Sequence, residues 1–250
     1  MIVRAQRRLS DRFAEAADSC QGLPQLRALL GCASAELGFP YFALVDHSIL
    51  SSPGRQRLRI DNYPTAWVDE LVGRARGNDD PVHLASRRTS SGFIWDDIGA
   101  LITLDRRQKA VFLESHRFGL GPGFTIPANV PGEQSLSCSF AVRCGETVPR
   151  GQLQCAELIG MHALRAARRL RKLRLERPRL SRREVECVRL IARGKTDWEI
   201  ATILGLSIET VHQYVKHART VYDVVSRTQL VILGLRDNWI SLDESIPQDG

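Results

Sequence analysis

From Asp11 to Leu37 apolar residues recur at helical spacing, with an interruption near Gly22-Leu23-Pro24. Tyr41 to Ile49 and Gln56 to Ile60 are short apolar-rich runs on either side of a Ser51-to-Gly54 turn, which predicts two strands. Pro64 suits a first helical position, and Trp67, Val68, Leu71, Val72 and Ala75 then repeat along one face. Asp80-Pro81 opens another short helix, Ser91 to Ile98 reads as extended or irregular, and Asp105 to Phe118 reads as helical. Gly119, Gly121, Pro122 and Gly123 predict a break. Phe124 to Ile126 and Ser135 to Val142 predict strands, and a long helix from about Gln152 to Leu175 closes the region. Helices mixed with antiparallel strands predict an α+β fold, an α-β-α sandwich over residues 1–170.

The pattern changes after a linker at 171–179, where Arg177-Pro178-Arg179 ends the helix. Residues 180–250 predict a small all-α domain with helices at Ser181 to Ala192, Asp197 to Leu204, Ile208 to Tyr222 and Arg227 to Leu235. Ser181 and Glu184 have the spacing of a capping box. Ile200, Ala201 and Leu204 give one buried stripe, Gly205 supplies a left-handed turn residue, and Ser207 is placed to cap the next helix. That helix carries Ile208, Val211, Val215, Ala218 and Tyr222 on its apolar side. Glu209, His212, Gln213, Lys216, Arg219 and Thr220 lie on the other. Two short helices joined by a tight turn, the second polar on its outer face, form a helix-turn-helix, and the expected partner is double-stranded DNA.

Charge supports that expectation. The chain of 250 residues carries a net charge of +7, yet residues 1–160 hold 18 basic against 17 acidic side chains and residues 161–250 hold 17 against 11. A near-neutral domain joined to a basic one suits a polyanion-binding module. Arg165 to Arg183 contains ten basic residues and one acid, Glu176, which by itself is equally a solvated helix face. The six cysteines are scattered, without paired spacing for zinc, and Cys138 and Cys144 are expected on one face of a strand. With no apolar leader near the start and no run of roughly 20 apolar residues, the expectation is a reduced, cytoplasmic protein that does not enter a membrane. Metal spacings, a GxSxG elbow and a phosphate-binding glycine loop are all missing, which argues against an enzyme.

Leu180, Arg183-Glu184, Glu186, Gly194-Lys195-Thr196, Glu199-Ile200-Ala201, Leu204, Leu206-Ser207, Thr210-Val211 and Arg227 together resemble the LuxR-type helix-turn-helix domain. Val221-Tyr222 stands where that family commonly has Lys-Leu, and His212 where it often has lysine. Upstream, Tyr63, Pro64, Trp67, Asp80, Pro81, Trp95 and Gly123, followed by Thr125-Ile126-Pro127, resemble the acyl-homoserine-lactone-binding domain of LuxR-type quorum-sensing receptors. The resemblance implies a homodimeric transcription factor reading a two-fold symmetric site. The long Gln152-to-Leu175 helix and the last helix are its plausible dimer surfaces. A lactone acts as effector, and no cofactor or metal is expected.

The resemblance also implies roles. Trp67 donates to the lactone carbonyl, Asp80 accepts from the amide N–H, Tyr63 and Ser139 meet the amide carbonyl, and Trp95 forms a flat wall. Leu71 replaces a usual tyrosine, which implies a pocket altered to admit a longer, branched or aryl acyl group. Val72, His83, Val111, Phe112, Ser115 and Leu120 are the expected neighbours of that group. In the DNA-binding half Gln213, Lys216 and Arg219 are expected to face DNA, with His212 and Thr220 behind them and Thr210 and Lys195 as further contacts. Plainer readings stay open: Trp67 and Trp95 as core, Asp80 as a helix cap, the glycines as a turn, and a non-lactone effector.

Overall fold

Leu9, Phe13 and Ala17 lie on one stripe of helix α1 (Ile2–Ser19), with Cys20 just past its end, and Leu26, Leu30 and Ala33 lie on one stripe of α2 (Leu23–Glu36). Both stripes are buried, because an apolar row at helical spacing must find a second layer. The computed structural model describes residues 2–47, 58–73, 80–130, 135–171 and 179–241, the side chains of 2–4 and 72–73 apart. Helix α1 starts well before Asp11; the residues preceding Leu9 include Arg4, Arg7 and Arg8, so little apolar periodicity announces it. The Ser51-to-Gly54 turn, most of the 171–179 linker and the tail from Asp243 lie outside the described residues.

The layer that α1 and α2 cover is a five-stranded sheet. Strands β1 (Tyr41–Asp46), β2 (Arg59–Asp61), β3 (Phe93–Ile94), β4 (Leu120–Ala128) and β5 (Leu136–Arg143) run in the order β2-β1-β5-β4-β3. Every pairing is antiparallel. Register sorts the side chains, since directly paired residues share a face. Phe42, Leu44, Phe124, Ile126, Cys138 and Phe140 join the core shared with α1, α2 and α6 (Leu153–Arg171). The opposite face carries Tyr41, Ala43, Val45, Gly123, Thr125, Ser137, Ser139 and Ala141. Helices α3 (Thr65–Gly73), α4 (Pro81–Ser86) and α5 (Arg106–Arg117), with a 3-10 turn at Trp95–Ala100, supply the apolar residues on that side. The result is the expected α-β-α sandwich.

Strand β4 is longer than the pattern suggested, because Gly121 and Gly123 lie inside it rather than breaking it. A Cβ at Gly121 would fall 2.3 Å from the Arg143 carbonyl oxygen, and one at Gly123 would fall 2.7 Å from that of Phe140 and 2.8 Å from the Trp95 ring. A register shift between Leu120 and Gly123 accommodates the crowding. Only Gly119, at φ +81°, makes the turn. Cys138 is buried in β5, whereas Cys144 lies beyond the strand and is exposed.

The second unit contains α7 (Arg182–Ala192), α8 (Asp197–Leu204), α9 (Ile208–Val221) and α10 (Arg227–Arg236). Its core holds Cys187, Val188, Ile200, Val211, Val215, Ala218 and Leu230. Ile208, expected on that stripe, is half exposed at the first turn of α9. Ser181–Glu184, Thr196–Glu199 and Ser226–Gln229 form reciprocal capping boxes, and Ser207 Oγ accepts from the Thr210 backbone N–H. Gly205 closes α8 at φ +65°, the left-handed conformation predicted for it.

Candidate ligand site and nucleic-acid interface

The small side chains on the inner sheet face leave room that the facing helices fill with aromatic rings. Trp67, on α3, is 4% exposed and its ring lies 5.8 Å from that of Phe118. Trp95 opens the 3-10 turn; its indole N–H donates to Thr125 Oγ1 at 2.8 Å, and its ring lies 6.1 Å from Phe112. Trp95 is therefore a fixed wall, its donor already used. Thr125 Oγ1 is also 2.8 Å from Ser139 Oγ. If Thr125 accepts from the indole and donates to Ser139, the Ser139 hydroxyl keeps its own proton to give. Thr125 carried part of the resemblance but no role, because its tie to Trp95 depends on strand pairing.

Asp80 is the helix cap that the plainer reading expected. Its Oδ1 accepts from the Val82 backbone N–H at 2.9 Å and so caps α4, while Oδ2 lies 3.7 Å from His83 Nε2. The cap fixes the carboxylate and leaves one oxygen to accept another donor. Burial, reinforced by the charges of Asp80 and Asp61, pushes the Tyr63 phenol well above its ordinary range, so it stays a donor. Its ring meets that of Tyr41 edge-on at 6.4 Å. Leu71 and Phe112 pack in the same cluster. Val111 and Leu120 are buried there too. The Ser115 hydroxyl donates to the Phe112 carbonyl of its own helix. The Val72 side chain is outside the description. A cavity of about 440 Å³ opens between Trp95, Ile98, Leu104, Phe112 and Pro122, a size ordinary for a small-molecule site, but Tyr63, Trp67, Leu71, Asp80 and Ser139 do not line it.

Two further polar residues, which the sequence did not single out together, line this face. His47 follows β1, its Nε2 is 2.8 Å from Ser137 Oγ, and its ring stacks on that of His83 at 4.5 Å. Burial, then the charges of His83 and Arg87, pushes the His47 pKa down to about 2, so the ring is neutral. The Nδ1 atoms of both histidines are buried without a hydrogen-bond partner among the described residues. Each such orphan costs about 1–3 kcal/mol. Among the described residues, no His, Cys, Asp and Glu cluster forms a metal site, and no helix is long and apolar enough to cross a membrane.

In the second unit, His212, Gln213, Lys216 and Thr220 are exposed along one side of α9, with Thr210 half-buried at its start. Gln213 donates to Glu209 at 3.0 Å, and Thr220 donates to the Lys216 carbonyl of its own helix. Lys195 pairs with Glu199 at 3.4 Å before α8. Arg219 departs from expectation. It donates to the Val225 carbonyl at 3.0 Å, and its Nε is buried, so it fastens the turn after α9. Tyr222 also has a local reason: its phenol donates to buried Asp237 at 3.0 Å, which Arg236 clasps through both oxygens. His217 pairs with Glu184, fixing α9 to α7.

A polar-lined apolar face inside one unit and a basic helix-turn-helix in the other define a ligand-responsive DNA-binding regulator. The sequence matches the autoinducer binding domain family over residues 23–170 and the bacterial regulatory proteins, luxR family, over residues 178–233. The chain belongs to the LuxR-type regulators with an autoinducer-binding domain. It is 28% identical over 239 residues to the quorum sensing-dependent transcriptional regulator RpaR of Rhodopseudomonas palustris, covering 94% of this chain and 97% of that one. A Sinorhizobium fredii protein assigned as an HTH-type transcriptional regulator, y4qH, is 29% identical over 189 residues, 75% of this chain and 58% of that longer protein. The crystal structure of Escherichia coli SdiA superposes with a TM-score of 0.69 at 22% identity, covering 96% of this chain and 100% of that one, and shares the fold.

Proposed function

We propose that the chain binds an N-acyl-homoserine lactone between its sheet and α3–α5 and regulates promoters, as a cytoplasmic homodimer, through α9. The observation that carries this reading is the Asp80 carboxylate, fixed by the Val82 N–H through one oxygen and left with the other beside His83. That oxygen accepts the ligand's amide N–H in a charge-assisted bond. Trp67 donates to the ring carbonyl, Tyr63 and Ser139 donate to the amide carbonyl, and the Trp95 face bounds the lactone. The division falls at residues 1–170 and 180–250, and α6 and α10 supply the contacts between copies. Gln213 and Lys216 lead the DNA contacts, with His212, Thr210, Thr220 and Lys195 around them, while Arg219 acts by holding the turn.

The test is mass spectrometry of small molecules extracted from the full chain expressed with a lactone mixture. A lactone should be recovered from the wild type. Asp80→Asn keeps a capping side chain but loses the charge, so occupancy should fall by roughly tenfold or more. Recovery of no lactone from folded wild-type protein overturns the reading.

A further inference from the structure

We infer that the open groove between the end of α4 and the start of α5 is a second small-molecule site, one that takes an organic oxyanion, carboxylate or phosphate, carried on an apolar body. Leu84 on α4, with Leu101 and Ile102 after the 3-10 turn, forms its apolar wall. Arg87, Arg88, Thr103 and Gln108 form its polar one. The groove encloses about 650 Å³, within the ordinary range for a small-molecule site. None of these residues lines the cavity beside Trp95, and none is a group assigned to the lactone.

The polar wall selects the ligand. Arginine only donates, and it stays ionised. Gln108 Oε1 already accepts from the Asp105 backbone N–H at 2.9 Å, so what the side chain has left is its amide donor. The hydroxyl of exposed Thr103 adds another. No carboxylate lines the groove, and among the described residues neither guanidinium forms a hydrogen bond or an ion pair. Asp105 Oδ1 is occupied, accepting from the Gln108 backbone N–H at 2.8 Å. Exposed Arg106, Arg107 and Lys109 add positive charge nearby without entering the lining. Two neighbouring cations of this kind favour an oxyanion, whose geometry a guanidinium fork matches. The backbone beneath them is braced: Asn129 Nδ2 donates to the Ser86 carbonyl at 2.6 Å and to the Thr89 carbonyl at 3.3 Å, one on each side of the pair. That bracing lowers the ordering cost of filling the site. The half-buried Leu84, Leu101 and Ile102 leave apolar surface for the ligand's body to cover, which a bare inorganic ion would not do.

The experiment measures Kd by calorimetry for the full chain with octanoate, octyl phosphate, 1-octanol and inorganic phosphate. At least one octyl oxyanion should bind roughly tenfold more tightly than either octanol or inorganic phosphate, and the two oxyanion arms separate carboxylate from phosphate. Arg87→Gln and Arg88→Gln should each weaken that binding by roughly tenfold. Both side chains are exposed, and an unchanged thermal melt checks each fold. Arg106→Gln with Arg107→Gln, outside the lining, should leave it within about twofold. Octanol binding as tightly as the oxyanions overturns the anion site, and inorganic phosphate binding as tightly overturns the apolar body. Binding that survives the Arg87 and Arg88 substitutions, or falls equally with those on α5, overturns the groove as its place.

Discussion

Single side chains in the first unit do two jobs, and each job predicts a different measurement. Gly123 lets Trp95 lie against the sheet. In Gly123→Ala the new methyl meets a backbone oxygen at 2.7 Å and the indole at 2.8 Å. The expected loss is about 1–3 kcal/mol of stability, read by denaturant unfolding, together with weaker ligand binding. His47 is neutral when folded, with a pKa pushed down to about 2, whereas an unfolded histidine titrates near 6.5. The unfolded chain therefore binds the extra proton first. Stability is full above about 6.5 and falls progressively below it, by up to about 1.4 kcal/mol per pH unit. Thermal melts against pH should show that decline, and His47→Phe should flatten it; an unchanged slope counts against burial as its cause. The sequence named Trp67, Asp80, Trp95 and Ser139 through spacing and resemblance, and all four are buried in the first unit. The Trp95–Thr125 bond and the histidine partnership were not legible, since each depends on tertiary pairing that places residues far apart in sequence side by side.

At the scale of elements, helices were easier to read than strands. In the second unit, apolar period and capping chemistry agree, so α8 is predicted to the residue and the other three helices to within a residue or two. Strand β4 was cut short because glycine in sequence is ambiguous between a break and a close approach, and only the neighbouring Arg143 and Phe140 carbonyls decide. The α7 cap supplies a test of local energetics. Burial opposes ionisation of Glu184, but hydrogen bonds from the Ser181 backbone and hydroxyl and from His217 outweigh it and hold the carboxyl below its usual range. Its contribution is present above the ordinary glutamate pKa and is lost as pH falls through the lowered one. Ser181→Ala should cost about 0.5–2 kcal/mol, and Glu184→Gln should blunt the acid-side loss in the second unit. Unaltered acid unfolding in the Gln variant would remove this pair from the account.

For the molecule as a whole, the two units answer to different partners. Ligand bound only to the folded first unit raises its melting temperature with the logarithm of free ligand over Kd, a shift that calorimetry reads. Lys216→Ala should weaken binding to all DNA sequences and reduce the salt slope by about one if it meets phosphate. Leu71→Tyr refills the pocket wall and should move the lactone preference; an unaltered ranking refutes a role for Leu71 in ligand choice. This division into sensor and reader was legible from charge and motif alone, because each half carries its own periodicity and its own chemistry.

One joint in the reader has a mechanical meaning. The Tyr222 phenol on Asp237, a carboxylate that Arg236 clasps, ties the end of α10 to the end of α9, and Arg219 on the Val225 carbonyl fixes the turn between them. So tied, α10 is a handle on α9: a displacement of one should carry the other instead of bending the corner between them. Tyr222→Phe should slacken that handle, leaving the fold in place while amide exchange quickens in α10 and DNA affinity falls.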